Sequence, residues 1–228
     1  MKKQNYISMT LMVIAVLYVS CLLISNLIAG KMWMISETIT LPAAVILFPV
    51  TYIIGDVFTE VYGFQKARAV IWLGFFVSFF AVVIYMVTIA LPAPAFFQDQ
   101  EAYRTVLSTT PRVAVASLAG YLAGEFSNSV ILSKMKVKME GKHLWMRTIL
   151  STVVGEGLDS VLFITISFAG TMETKQLLFM ILFQYLFKVL YETICTPFTY
   201  LVVKKLKKAE GEDVFDEGVK YRLLGRVR

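Results

Sequence analysis

Six apolar runs follow one another along the chain: Tyr6–Ala29, Leu41–Phe58, Ala67–Leu91, Pro111–Leu132, Thr148–Ala169 and Gln176–Val203. Each is roughly 18–28 residues long, and a helix needs about 20 residues to cross the hydrocarbon core of a bilayer. Backbone polar groups in lipid must be satisfied within the segment, so runs of this length become helices. The predicted fold is an all-α membrane protein with six transmembrane helices. A composition of 57% hydrophobic and 17% charged residues excludes an ordinary soluble domain. The first run is too long for a signal-peptide core, and no small-residue cleavage site follows it.

Six crossings put both termini on one side. If that side is cytoplasmic, 17 of the 22 Lys and Arg residues are cytoplasmic, and only Lys31, Arg104, Arg112 and Lys175 are external. Lys188 falls inside the last run. The positive-inside rule selects an N-in, C-in arrangement. It also explains the formal net charge of +6. The basic residues cluster at run ends, so no nucleic-acid partner is implied. The chain divides into a transmembrane domain, 1–203, and a charged cytoplasmic tail, 204–228. A short basic head, Met1–Gln4, precedes the first run. The polar stretch Ser36–Thr40 reads as a turn, and Pro92–Thr110 as a cap, an interfacial helix or a solvated connection.

Within this apolar background, one hexapeptide pattern occurs twice. Gly124-Glu125-Phe126-Ser127-Asn128-Ser129 and Gly155-Glu156-Gly157-Leu158-Asp159-Ser160 both read G-E-x-x-(N/D)-S. Residues at i, i+3 and i+4 share a helix face. Glu125, Asn128 and Ser129 then form one polar patch, and Glu156, Asp159 and Ser160 another. A carboxylate at the centre of a membrane helix costs roughly 2.5–3.5 kcal/mol. From the rise per residue, Glu125, Glu156, Asp159 and Glu192 lie roughly 10–16 Å inside the cytoplasmic boundary, with Lys188 nearer the midplane. Asp56 approaches the same layer from the second run. These groups must converge inside the bundle, where carboxylates outnumber the one lysine. The surplus calls for a cation, a proton or a ligand rich in N–H donors.

Other features have two readings. Lys188 and Glu192, at i and i+4, can neutralise each other or serve a site. Glu60 reads as an interfacial carboxylate near Lys66 or Arg68. Pro49 should loosen the backbone near Val45, and Tyr62-Gly63 should break the second helix. The stripe Ala116, Gly120, Gly124 permits close helix packing, within one chain or in a homodimer. The third run is almost purely apolar and is expected to face lipid. Cys21 and Cys195 are far apart and His143 is the only histidine, so no metal site, disulfide framework or His-based catalytic centre is implied. No phosphate-binding loop appears, and no cofactor is expected.

Phe48-Pro49-Val50-Thr51-Tyr52, Asp56, Thr59-Glu60-Val61-Tyr62-Gly63 and Ala67-Arg68 resemble the opening signature of the queuosine precursor transporter family, also described as vitamin-uptake-transporter-like. The two hexapeptides, Lys188 with Glu192, and Thr196-Pro197 with Tyr200 look like its later motifs. The resemblance runs from about Asn26 to Tyr200 and leaves out the tail. It implies a multi-pass inner-membrane importer, not an enzyme, similar in fold to the substrate-binding subunits of energy-coupling-factor transporters. It further implies purine-like 7-deazaguanine substrates: the 7-cyano or 7-aminomethyl base, or queuine. Carboxylates of Glu125, Glu156, Asp159, Asp56 and Glu192 could accept from the base's N–H edge. Asn128 or Gln184 could serve its carbonyl and ring nitrogens, and Lys188 is counted among the substrate-binding residues. Tyr52, Phe163, Tyr185 or Tyr191 could stack on the ring. Two rival readings are a capture subunit that needs a separate ATPase and an intramembrane enzyme using a carboxylate pair. For the first, α-helical docking would want a small-residue face on the first run, where Ala15 and Ala29 stand alone.

Overall fold

The structure is a computed structural model that describes residues 8–36, 39–107 and 111–224. The head Met1–Gln4, the centre of the Ser36–Thr40 stretch and the end of the Pro92–Thr110 connection lie outside the described residues. Helix α1 spans Met9–Ile28 and is capped by Ser8, whose Oγ accepts the Leu11 N–H at 3.0 Å. A small antiparallel hairpin follows, β1 Met32–Ser36 and β2 Ile39–Pro42. The strands pair Met32 with Pro42, Trp33 with Leu41 and Met34 with Thr40. A 3-10 turn, Ala43–Ile46, leads into α2, Phe48–Ala90.

Two expectations for this region are corrected in opposite senses. Pro49 lies in the first turn of α2, where its missing N–H has no intrahelical partner to lose. It starts a helix and does not kink one. Gly63 breaks α2, as the sequence predicts: its φ of 81° and ψ of 165° divide a first limb, 48–62, from a second, 64–90. Only glycine adopts that conformation without strain. A Cβ there would also stand 2.7 Å from Val214 Cγ1.

The remaining elements are α3 Gln100–Leu107, α4 Pro111–Lys138, α5 Leu144–Phe168 and α6 Thr174–Glu210. The Pro92–Thr110 connection thus contains an exposed helix. Among the described residues, four helices are long and apolar enough to cross a membrane: α1, α2, α5 and α6. Helix α4 has the length, but its Gly, Ala, Ser and Asn content dilutes its hydropathy. Pro197 lies within α6, which runs on to Glu210, beyond the predicted end.

The burial pattern is inverted relative to a water-soluble protein. Asp56, Glu125, Asn128, Arg147, Lys188 and Glu192 are buried, while Phe76, Phe79, Phe80, Leu186, Leu190 and Ile194 are exposed. An apolar exterior around a polar interior is stable in lipid and not in water. The second limb of α2 presents its exposed Phe and Val side chains outward, as the composition of the third run predicts.

Helices α4 and α5 pack most closely. A Cβ on Gly155 would stand 2.9 Å from the Gly124 carbonyl and 2.8 Å from Asn128 Cβ. One on Gly120 would stand 2.6 Å from Asp159 Oδ1. The small-residue stripe is thus occupied within the chain, which removes it as support for a homodimer. Gly155→Ala is expected to wedge α4 from α5 and lower stability by about 1–3 kcal/mol. Thermal unfolding in detergent checks this, and an unchanged midpoint would contradict the close packing.

Candidate functional site

The two hexapeptides meet across the α4–α5 seam. Buried Glu125 lies against Gly55 of α2, where a Cβ would come within 2.8 Å of Glu125 Oε2. Asn128 donates to Asp56 Oδ1 at 2.6 Å, and Ser129 Oγ accepts from Thr59 at 3.0 Å. One face of α4 thereby joins the first limb of α2. On α5, Glu156 and Asp159 point to α6: Lys188 Nζ lies 2.6 Å from Glu156 Oε2 and donates to Asp159 Oδ2 at 2.5 Å. The ammonium also lies 5.4 Å from the Phe48 ring centroid and 5.9 Å from that of Tyr52.

The proposed i,i+4 pairing of Lys188 with Glu192 does not form. Lys188 turns toward α5, where two carboxylates outbid one. Both Glu192 carboxylate oxygens are buried without a hydrogen-bond partner, as are Asp56 Oδ2, Asn128 Oδ1 and the Tyr52 hydroxyl. The five carboxyl groups of Asp56, Glu125, Glu156, Asp159 and Glu192 thus share this layer with one ammonium. Such a layer is stable only if something supplies the missing donors.

Above this layer opens a cavity of about 410 Å³. Asp159 and Lys188 form its floor, with Gln184 beside them. The Gln184 side-chain oxygen is buried and unpartnered. Phe48, Phe163 and Phe168 add aromatic wall. Also on the lining, Ser117 donates to Asn26 Oδ1 at 2.8 Å. Of the residues expected at a site, Asp159, Gln184 and Lys188 line the cavity. Glu125, Asn128, Asp56, Glu156, Glu192 and Tyr52 lie in the buried layer and do not line it. Phe163 is the one expected stacking residue on the wall. Tyr185 packs near Gly157, and Tyr191 pairs with Phe187.

Sequence reading did not assign Phe48, Ser117 or Phe168 to the site. Ser117 carries no signal, being one small polar residue in a Gly/Ala/Ser-rich helix. Phe48 could have been suspected, because it opens a helix one turn before Tyr52. Among the described residues, no group of three or more His, Cys, Asp or Glu side chains is placed to hold a metal ion.

A second charged cluster lies at the far end of the bundle. Glu60 was expected near Lys66 or Arg68. Instead Arg147 donates to it through two nitrogens, at 2.6 and 3.3 Å, and Lys207 reaches it at 2.7 Å. Lys136 donates to the Glu60 carbonyl at 2.5 Å. Lys66 pairs with Glu212 at 2.8 Å, and Arg68 donates to the Arg222 carbonyl. Burial lowers the Lys136 ammonium from its ordinary pKa, against the opposing pull of Glu60 and Asp213. Burial raises the Asp213 carboxyl, but hydrogen bonds from Lys136 and Lys207 outweigh it and leave the pKa below its ordinary value.

The sequence model of a family described as "Putative vitamin uptake transporter" matches residues 42–202, a span that holds both hexapeptides, Asp56 and Lys188. A relative from Bacillus subtilis (strain 168), named "Probable queuosine precursor transporter", is 26% identical over 167 residues, covering 72% of each chain. A second with the same name, from Haemophilus influenzae (strain ATCC 51907 / DSM 11121 / KW20 / Rd), is 26% identical over 121 residues. That match covers 53% of this chain and 49% of the relative. No solved structure matches the chain.

Proposed function

From the premise that the chain belongs to the vitamin uptake transporter family, and so is a membrane transport protein, we propose that it imports queuosine precursors across the inner membrane. The substrates are 7-deazaguanine bases: the 7-cyano or 7-aminomethyl form, or queuine. The names of the relatives support this reading. The observation that carries it is the cavity floor, where the Asp159 carboxylate and the Lys188 ammonium stand 2.5 Å apart. A guanine-like edge presents a carbonyl acceptor beside two N–H donors. A donor beside an acceptor is its complement. The Phe48, Phe163 and Phe168 rings suit the flat faces of such a base. Glu125, Asn128, Asp56, Glu156, Glu192 and Tyr52 line the route beyond the floor, and the unpartnered oxygens of Glu125, Asn128, Asp56 and Glu192 suit a ligand rich in N–H groups.

The test is uptake of labelled base into liposomes that contain this chain alone. Accumulation is expected. Uptake in cells but none in liposomes would indicate a capture subunit awaiting an ATPase. Chemical conversion of the base would indicate an enzyme.

The route implies six crossings, both termini cytoplasmic, and a tail, 204–228, on that side. The 3-10 turn and first limb of α2 together reach about 30 Å, taking roughly 2.0 and 1.5 Å per residue. That matches the hydrocarbon thickness, so α2 supplies two crossings around Gly63. A membrane-impermeant thiol reagent is expected to label a cysteine at exposed Gln98 in intact cells, and to spare one at exposed Lys208. The opposite labelling would invert the topology.

A further inference from the structure

We infer that residues 211–224, the strap that follows α6, form an inner gate that closes the cytoplasmic end of the transport route. The inference rests on the proposed import function and deepens it by naming the exit. Asp56 belongs to the buried acidic layer, and Glu60 lies one turn farther along the same limb, about 6 Å at 1.5 Å per residue. Lys136 of α4, Arg147 of α5 and Lys207 of α6 all converge on Glu60 of α2, so four helices meet at this point. A solute leaving the acidic layer along this limb of α2 meets this knot one turn beyond Asp56.

The strap ties the knot. Lys136 donates to Asp213 at 2.5 Å and to the Val214 carbonyl at 2.7 Å, and Lys207 lies 2.8 Å from Asp213. Val214 donates its N–H to the Val61 carbonyl at 3.2 Å, beside the break at Gly63. Asp216 accepts the Phe64 N–H at 2.8 Å and the Ser133 hydroxyl at 2.5 Å. The strap therefore holds α2 and α4 together where α2 changes direction. Glycine at 63 leaves room for Val214, and no other residue would.

The tie can open. Asp213 is about half exposed and Lys207 is partly exposed, so the knot borders water. Lifting the strap hydrates its charges, and hydration offsets much of the lost pairing. The α2–α4 junction is then free to part at Gly63.

The test locks the strap at Lys66 and Glu212, a partly exposed ion pair outside both the cavity and the knot. Lys66→Cys and Glu212→Cys are introduced with Cys21→Ser and Cys195→Ser, which remove the two free thiols. The protein is bridged in detergent by a short bifunctional thiol reagent that a reductant reverses, and is then reconstituted. The probe is tritiated 7-aminomethyl-7-deazaguanine. The bridged protein is expected to take up probe about tenfold less or worse, because a gating motion is blocked. Reduction should restore uptake, and the probe-induced thermal shift should persist throughout. Unchanged uptake in the bridged protein would overturn the gate. Loss of the thermal shift on bridging would also overturn it, because the strap would then shape the site and not its exit. If the unbridged variant and the unmodified chain both neither bind nor carry the probe, the import reading itself falls.

Discussion

Asp159→Asn is expected to abolish measurable uptake while the protein still inserts, purifies and remains monodisperse. Of the five carboxyl groups in the acidic layer, Asp159 alone both lines the cavity and touches Lys188. The amide keeps the shape but exchanges an acceptor oxygen for a donor NH2. A donor then faces the N–H edge of the base, and a charged hydrogen bond is lost. Such a loss is worth about 1.5–3 kcal/mol, roughly ten- to a hundredfold in affinity. Folding should suffer little, because Lys188 retains Glu156 at 2.6 Å. Glu156→Gln is the informative comparison, because Glu156 holds Lys188 from below without lining the cavity. Its effect on binding should be smaller. Ligand-induced thermal shift measured on both variants separates the two roles. Full-affinity binding by Asp159→Asn would remove this residue from the site.

Lys188→Met should act on the fold before it acts on transport. The side chain is buried, and its ammonium is the only cation within reach of Glu156 and Asp159 among the described ion pairs. Removing it leaves two carboxylates facing each other in a low dielectric. Breaking a buried pair from one side costs about 3–5 kcal/mol. Expression and unfolding midpoint should both drop sharply. Adding Glu156→Gln and Asp159→Asn to Lys188→Met removes the stranded charge and should recover most of the stability, though not uptake. An unchanged midpoint in Lys188→Met alone would mean that the triad contributes nothing to the fold.

The sequence alone determined the membrane class and the helical elements. Apolar length and the need to satisfy backbone groups are properties of each segment by itself, so no neighbour is needed to read them. The same holds for the two hexapeptide faces, because i, i+3 and i+4 share a face of any helix. Glu125, Asn128 and Ser129 are buried together, and so are Glu156, Asp159 and Ser160. The break at Gly63 was legible for the same local reason.

Tertiary structure decided which groups face each other. Lys188 had Glu192 one turn away in sequence, yet pairs with Glu156 and Asp159 on another helix. Helix rotation sets that choice, and a one-dimensional pattern does not contain it. The cavity likewise takes Asp159 and leaves Glu156 below the floor, although the two are three residues apart. The tail is the clearest case. Its charges read as solvated because a charged segment with no apolar period has no visible partner. Lys136 and Asp213 are 77 residues apart, and Asp216 and Phe64 are 152 apart. Only the folded bundle brings these groups together, because its end presents a buried Glu60, a free Phe64 N–H and a glycine with room for Val214.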